Sequence, residues 1–234
     1  MKCFIVLAHH EPRSFNAAMA GRARALMEEM GHEVRVSDLY AMRFDPVSDR
    51  RNFLSVADPE YLKQQAEESH AARVSGFAED IRAEIEKLEW CDLLILQFPR
   101  WWFGMPAILK GWVDRVFAMG RIYGGGRWYD SGVFAGKRAM VSLTTGGPEA
   151  RFRPGGLNPG IAEILKPIEH GVLWFTGFSV LPAFIVWGAA RIDDEARGRE
   201  LARFGAHLRD VVGLPGAAPP RVGDFPLPKG GGRA

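Results

Sequence analysis

Two runs in this chain of 234 residues are apolar almost from end to end, "CFIVLA" (Cys3 to Ala8) and the "LLIL" inside "DLLILQF" (Asp92 to Phe98). A strand with one wet face alternates in polarity. A strand that is apolar throughout is buried on both faces, the condition of a parallel sheet with helices packed on either side. The chain between and after the runs fits that demand. From Asn16 to Met30 apolar Met19, Ala23, Leu26, Met27 and Met30 recur at helical spacing, and Gly31 is placed to cap the end. "HEVRVSDLY" alternates like a second strand, and Ala41 to about Gly76 is a polar excursion with one short helix expected around Tyr61 to Arg73.

Further on, helices are expected over Ala78–Leu88, Ile108–Met119 and Ile161–Glu169, and a fourth strand over "RAMVSLTTGG", Arg138 to Gly147. The second half of "GVLWFTGFSVLPAFIVWG" reads as a fifth strand. Asp193–Val212 reads as a last helix, its first turn acidic where the helix dipole favours negative charge. The pattern predicts an α/β fold, a five-stranded, mostly parallel sheet with helices on both faces, over residues 1–212. Residues 213–234 are rich in Pro and Gly and read as an extended or loose tail.

Composition narrows the function classes. With 47% hydrophobic and 25% charged residues and a formal charge of +2, nothing pulls the chain toward nucleic acid. Cys3 and Cys91 lie in or beside strand-like runs, so neither a disulfide framework nor a zinc site is suggested, and the expected metal content is none. The apolar run near the start is too short for a signal peptide and no run reaches membrane-spanning length; the expectation is a cytoplasmic protein without membrane insertion.

Ligands of open α/β sheets bind beyond the carboxyl ends of the strands, which singles out three turns: "AHHEPRSFN", "PRWWFG" and "TTGG". The usual Gly-rich dinucleotide and nucleotide loops are absent. In the first turn the N–H groups of Phe15, Asn16 and Ala17 and the Ser14 hydroxyl open a helix, a phosphate site to which His9 or Arg13 adds a donor or charge; alternatively Ser14 is only a cap. In the second, Trp101, Trp102 and Phe103 either plug the end of the core or wall a pocket. In the third, Gly146 and Gly147 are a simple turn, or they present amides to the carbonyl edge of a ring. A planar cofactor carrying phosphates satisfies all three, and an isoalloxazine is such a ring.

The motifs "VLAH…SFN", "SDLYAM.F.P", "QFP..WFG.PAILKGW..RVF", "TTGG" and "P…G.L.F.GF.VL", spread from residue 6 to about residue 181, make the resemblance specific. The sequence resembles the flavodoxin-like NAD(P)H:quinone oxidoreductase family, which includes mammalian quinone reductases and bacterial relatives. The resemblance implies a homodimeric flavoprotein with its active site at the interface. It implies FAD, with FMN as the alternative, NAD(P)H as co-substrate and a quinone or similar planar acceptor. By motif, His9, Ser14, Phe15 and Asn16 would hold the phosphates, and Pro99, Arg100, Trp101, Trp102 and Phe103 would flank the flavin. Thr144, Thr145, Gly146 and Gly147 would bind its polar edge, the two glycines stabilising the reduced ring. Arg197 corresponds to a family arginine near the adenine end, and Gln64, or equally Gln65, to a family glutamine. The substrate cavity would lie over Trp102 and Phe103, with Phe152 beside it and Tyr123 and Phe178 across the interface.

The chain departs from the family at one point. A Tyr and a His thought to stabilise the reduced flavin in the mammalian enzymes are here Phe152 and Asn158. The Phe152 side chain donates no hydrogen bond, and Asn158, in the catalytic position, cannot shuttle a proton at neutral pH. An electron carrier resembling flavodoxin, or a flavin-binding regulatory subunit, is the alternative reading; carriers of that kind are shorter and acidic, which this chain is not.

Overall fold

The computed structural model describes residues 1–153 and 155–225. The chain runs β1 (Lys2–Leu7), α1 (Phe15–Glu29), β2 (Glu33–Asp38), α2 (Gln64–Val74), α3 (Glu79–Trp90), β3 (Leu93–Pro99), α4 (Ala107–Val116), β4 (Arg138–Thr144), α5 (Ile161–Ile168), β5 (Ser179–Val180), β6 (Phe184–Val186) and α6 (Asp194–Val211). The strands form one parallel sheet in the order β2-β1-β3-β4-β5, with β6 also on β4. The flavodoxin-like architecture expected from the sequence is present.

The apolar runs explain themselves in this sheet. Successive side chains of a strand point to opposite faces, so Cys3, Ile5 and Leu7 pack with Met19, Ala23 and Leu26 of α1 and Phe204 and Leu208 of α6. Phe4 and Val6 face the other way, onto Ile81, Ile85 and Leu88 of α3 and Trp112 of α4. In β3 the split repeats, Leu93 and Ile95 to one layer, Leu94, Leu96 and Phe98 to the other. Burying each such side chain contributes about 1.5–3 kcal/mol, and a polar residue at any of these positions would face a helix rather than water. Charge is nonetheless admitted beside this core. The Glu84 carboxylate is buried and takes hydrogen bonds from Ser37 Oγ (3.0 Å), Lys87 Nζ (2.5 Å) and Trp112 Nε1 (2.9 Å), tying α3 to β2 and α4.

Several details differ from expectation, each for a local reason. The fifth strand is broken into β5 and β6 around Pro182, which has no N–H for the ladder; Leu181 still donates to Ala139 O (2.8 Å) before the break. Helix α4 stops at Val116, short of Met119, and α5 passes into a widened turn over Glu169–Trp174. The excursion before α3 is well tied down. Buried Arg115 donates to Asn52 Oδ1 (2.8 Å) and to Asp80 Oδ2 (2.8 Å), and Glu67 accepts from the amides of Ala57 (2.6 Å) and Asp58 (2.9 Å). The start of the tail is docked: Ala217 and Val180 exchange backbone hydrogen bonds of 2.7 and 2.9 Å at the sheet edge. The rest of the tail, from residue 226, lies outside the described residues. Among the described residues no helix is long and apolar enough to cross a membrane.

Helix α4 approaches the excursion so closely that a Cβ on Gly111 would lie 2.2 Å from Pro46 O, whereas a Cβ on Gly21 of α1 would meet nothing within 4 Å. Gly111→Ala should destabilise the fold by about 1–3 kcal/mol through overpacking, and Gly21→Ala should stabilise it by about 0.5–1 kcal/mol through helix propensity. Urea midpoints of the two variants test the pair; equal, small shifts would mean that the excursion yields freely.

Candidate functional site

The order β2-β1-β3-β4-β5 makes the chain leave β1 and β3 toward opposite faces, α1 onto one layer and α4 onto the other. The loops after those strands therefore part, and a crevice opens at the carboxyl edge. A cleft of about 830 Å3 occupies that position. It is lined by all three turns singled out in the sequence, with His9, Ser14, Phe15 and Asn16 from the first, Pro99, Arg100 and Trp101 from the second, and Thr144, Thr145 and Gly146 from the third. Arg197 joins them from α6.

Three buried polar side chains form the floor. Gln97 Nε2 donates to Asn16 Oδ1 (2.9 Å), and Asn16 Nδ2 donates to Thr144 Oγ1 (3.0 Å). The chain of bonds joins β3, the first turn of α1 and the end of β4. The Asn16 side chain is thus spent on the floor, which leaves its backbone amide, the group singled out in the sequence, for a ligand. Ser14 is the helix cap, its Oγ accepting from the amide of Ala17 (3.1 Å), so that amide is not free either. Among the described residues the amides of Phe15 and Asn16 meet no protein acceptor. They open α1 toward the cleft, where the helix dipole favours an anion.

His9 stands beside them. Its Nδ1 accepts from the Glu11 amide (3.0 Å), which leaves Nε2 as the protonated donor of the neutral ring. The ring stacks on His10 at 4.8 Å, and both histidines lie near Trp101. Burial, then the neighbouring His10, hold the His9 pKa below the ordinary histidine value.

The aromatic turn is a tight hairpin. Trp101 and Gly104 exchange backbone hydrogen bonds of 3.1 and 2.9 Å, and the two residues between them, Trp102 and Phe103, have φ of +50° and +61°. Left-handed backbone at consecutive non-glycine residues costs on the order of 1–3 kcal/mol each and concentrates at ligand sites. The strain displays Trp102, 99% exposed, and Phe103, 46% exposed, so these two are no plug for the core. Next to them the Arg100 guanidinium lies against two adjoining rings, 4.7 Å from the centroid of Phe103 and 4.5 Å from that of Phe152. Phe152 in turn is buried, stacked on Trp187 at 5.3 Å, and would touch a Cβ on Gly147 at 3.3 Å.

The Thr-Thr-Gly-Gly turn is braced by its own threonines. Thr144 closes the floor, and Thr145 Oγ1 donates to Gly147 O (2.8 Å) and accepts from the Gly188 amide (3.2 Å). The amides of Gly146 and Gly147 bond to no protein group among the described residues.

Other expected residues fall elsewhere. Gln64 bonds Glu68 on α2 (2.8 Å), Gln65 Nε2 reaches the Tyr123 hydroxyl (3.3 Å), and Tyr123 packs on Phe175. None of them lines the cleft. Asn158 is away from it too, with its amide bonded to Arg151 O. Phe178 corrects a clear expectation: its ring is fully buried at 4.4 Å from Phe134, inside the core cluster, with no surface to offer a substrate. Sequence reasoning missed Ala189, Ala190 and Leu201, which close the far side around Arg197 and its partner Asp194 (2.5 Å). The small pair after the last strand was the available signal.

Fold and cleft together define a flavodoxin-like protein with a ligand crevice at the β1/β3 switch. The model of the Flavodoxin-like fold family matches residues 1–208. The chain is 42% identical over 211 residues to NAD(P)H dehydrogenase [quinone] 1 of Cavia porcellus, covering 90% of this chain and 77% of that protein. It is 38% identical over 211 residues to ribosyldihydronicotinamide dehydrogenase [quinone] of Pongo abelii, covering 90% and 91%. A Klebsiella pneumoniae structure assigned as a quinone reductase superposes with a TM-score of 0.88 at 39% identity, covering 94% of this chain and 86% of that one. The chain belongs to the flavodoxin-like NAD(P)H:quinone oxidoreductases.

Protonation of His9 is opposed in the free protein, and a bound anion would favour it. The folded pKa lies below the unfolded one, so the stability His9 contributes is present above the unfolded value and lost as pH falls through both. Anion affinity should run the other way, rising as pH drops from about 8 to about 5. Sulfate, whose charge is constant over that range, is the probe. Calorimetric titration should show tighter binding at low pH, with the slope flattened in His9→Gln; a flat profile in the native protein sinks the assignment.

Proposed function

We propose that the cleft holds a flavin, FAD with FMN as the alternative, and that the protein passes a hydride from NAD(P)H to it and two electrons on to a quinone or similar planar acceptor. The observation that carries this reading is the division of one crevice into an anion corner and a ring corner. The first has the unbonded amides of Phe15 and Asn16 with His9 and Arg13 beside them; the second has Trp101, the unbonded amide of Gly146 and a buried Arg100 Nε without a partner in its lining, with Trp102, Phe103 and Gly147 next in the chain but outside the lining. A buried donor without an acceptor costs about 1–3 kcal/mol, so the ring corner fits a ligand with acceptor atoms along one edge. Relatives about 40% identical and named as quinone-dependent dehydrogenases support the same reaction class.

When bound, the flavin supplies two-electron chemistry between reactants that share one face. The chain's own residues then divide the work. Phe15, Asn16 and His9 orient the phosphates, with Arg197 at the far end where an adenine would lie. Gly146 and Gly147 donate to the ring edge, and Trp102 and Phe103 give the acceptor a flat surface. A bare, strained Trp102 also favours a homodimer, in which a second copy covers the indole and completes the substrate cavity, with Tyr123 facing it. Two buried cysteines with no disulfide suit a reducing, cytoplasmic setting.

Denatured protein should release stoichiometric flavin, and initial rates of NAD(P)H oxidation against quinone should give parallel lines. Intersecting lines, or no flavin after reconstitution, would defeat the proposal.

The turn offers a sharper check. Trp102→Gly relieves left-handed strain and should raise stability by about 1 kcal/mol. It should also lower quinone turnover or flavin retention about tenfold or more, since ring stacking on an aromatic contributes roughly 1–3 kcal/mol. A variant both less stable and fully active would mark the turn as structural.

A further inference from the structure

The ring corner contains a cation that no carboxylate among the described residues neutralises. Arg100 forms no salt bridge with any described carboxylate, its Nε is buried without a hydrogen-bond partner, and its guanidinium sits in the corner made by the adjoining Phe103 and Phe152 rings. Its amide is anchored to Thr144 O (2.8 Å), so the side chain starts from a fixed point on the wall of the cleft. Burial pulls its pKa down, yet an arginine stays charged at any physiological pH. The guanidinium is half-buried, its terminal nitrogens keep contact with solvent, and the one buried donor, Nε, costs stability unless an acceptor arrives from outside the chain.

We infer that Arg100 is a catalytic residue, which stabilises the negative charge of the reduced flavin at its N1–C2=O edge. The inference rests on the flavin reading above. Hydride transfer moves one proton and two electrons from the dihydronicotinamide to flavin N5, leaves the nicotinamide oxidised, and gives the ring a net charge of −1 until a second proton arrives from solvent. That charge gathers at N1 and C2=O, where a nearby positive group tunes the couple.

Arg100 belongs to this end of the cleft for geometric reasons. Phe152 touches both the guanidinium and the position of a Gly147 Cβ, so cation, ring wall and the free amides of Gly146 and Gly147 share one corner. The phosphate corner already has the start of α1, His9 and Arg13. Arg100 thereby supplies what Phe152 and Asn158 lack, a group that meets developing charge, and it does so without moving a proton.

The test uses the flavin-loaded protein with Arg100→Leu, Arg100→Gln and Arg100→Lys, flavin content being measured first. Two readouts besides turnover follow: the two-electron midpoint potential of the bound flavin, and its affinity for sulfite, which adds at N5 and leaves the same negative edge. Leu and Gln should each lose at least about tenfold of the preference for the reduced ring, a fall of about 30 mV, and at least about tenfold in sulfite affinity, with Lys recovering part of both. Unchanged potential and sulfite affinity in folded, flavin-loaded Leu or Gln variants would overturn the assignment. So would equal weakening of oxidised and reduced flavin, which would put Arg100 on the phosphates. In the native protein alone, the reduced ring should stay anionic by absorbance well below the pH at which free reduced flavin takes up its second proton; titration in the free range also overturns it. A native protein that binds no flavin defeats the flavin reading and this inference with it, whereas flavin bound with an unshifted potential defeats this inference alone.

Discussion

The buried hydrogen bonds from Gln97 to Asn16 and from Asn16 to Thr144 are the constraint on which the cleft depends. A parallel sheet fixes its strands against each other, but it does not fix where the next helix begins. Here the first turn of α1 is tied to the ends of β3 and β4 by side-chain bonds inside the molecule, where a lost partner would leave an amide and a hydroxyl unpaid. The free amides of Phe15 and Asn16 face the cleft because that turn cannot rotate away. The same bonds hold the start of α1 against the Thr-Thr-Gly-Gly turn.

Around this rigid floor the strain and the exposure lie at the rim. Trp102 and Phe103 take left-handed backbone that glycine would hold more comfortably, and the indole gains no burial within its own chain in return. Arg100 keeps a buried Nε without a hydrogen-bond partner. These arrangements run against stability in the isolated chain, and both point into or over the same crevice. Stability is lent by the two apolar layers on either side of the sheet, which lets the rim residues carry strain and exposure.

The two faces of the sheet also explain why positions of similar composition have unlike roles. Phe152, Phe178 and Phe103 are all phenylalanines near the cleft in sequence terms. Phe103 is on the rim, Phe152 backs the glycine turn, and Phe178 is sealed against Phe134. Periodicity carries no information about which aromatic ends inside, because all three lie in turns or just beside short strands.

The sequence by itself determined the sheet, most of the helices and the three turns of the site. Uninterrupted apolar runs admit only strands covered on both faces, and the carboxyl ends of such strands are where ligands bind. Ser14 as a cap and Gly31 as a helix end were legible for the same local reasons, and the structure has both, with Gly31 at φ +79°. Other features were decided only in three dimensions. Asn16 turned inward because Thr144 and Gln97, 128 and 81 residues away, met it there. The excursion was ordered by Arg115 from α4, the fifth strand was parted around Pro182, and Phe178 was withdrawn into the core. Arg100 became an unpaired cation once folding had set it against the Phe103 and Phe152 rings with no carboxylate beside it. Each of these depends on partners distant in the chain, and local pattern holds no record of who those partners are.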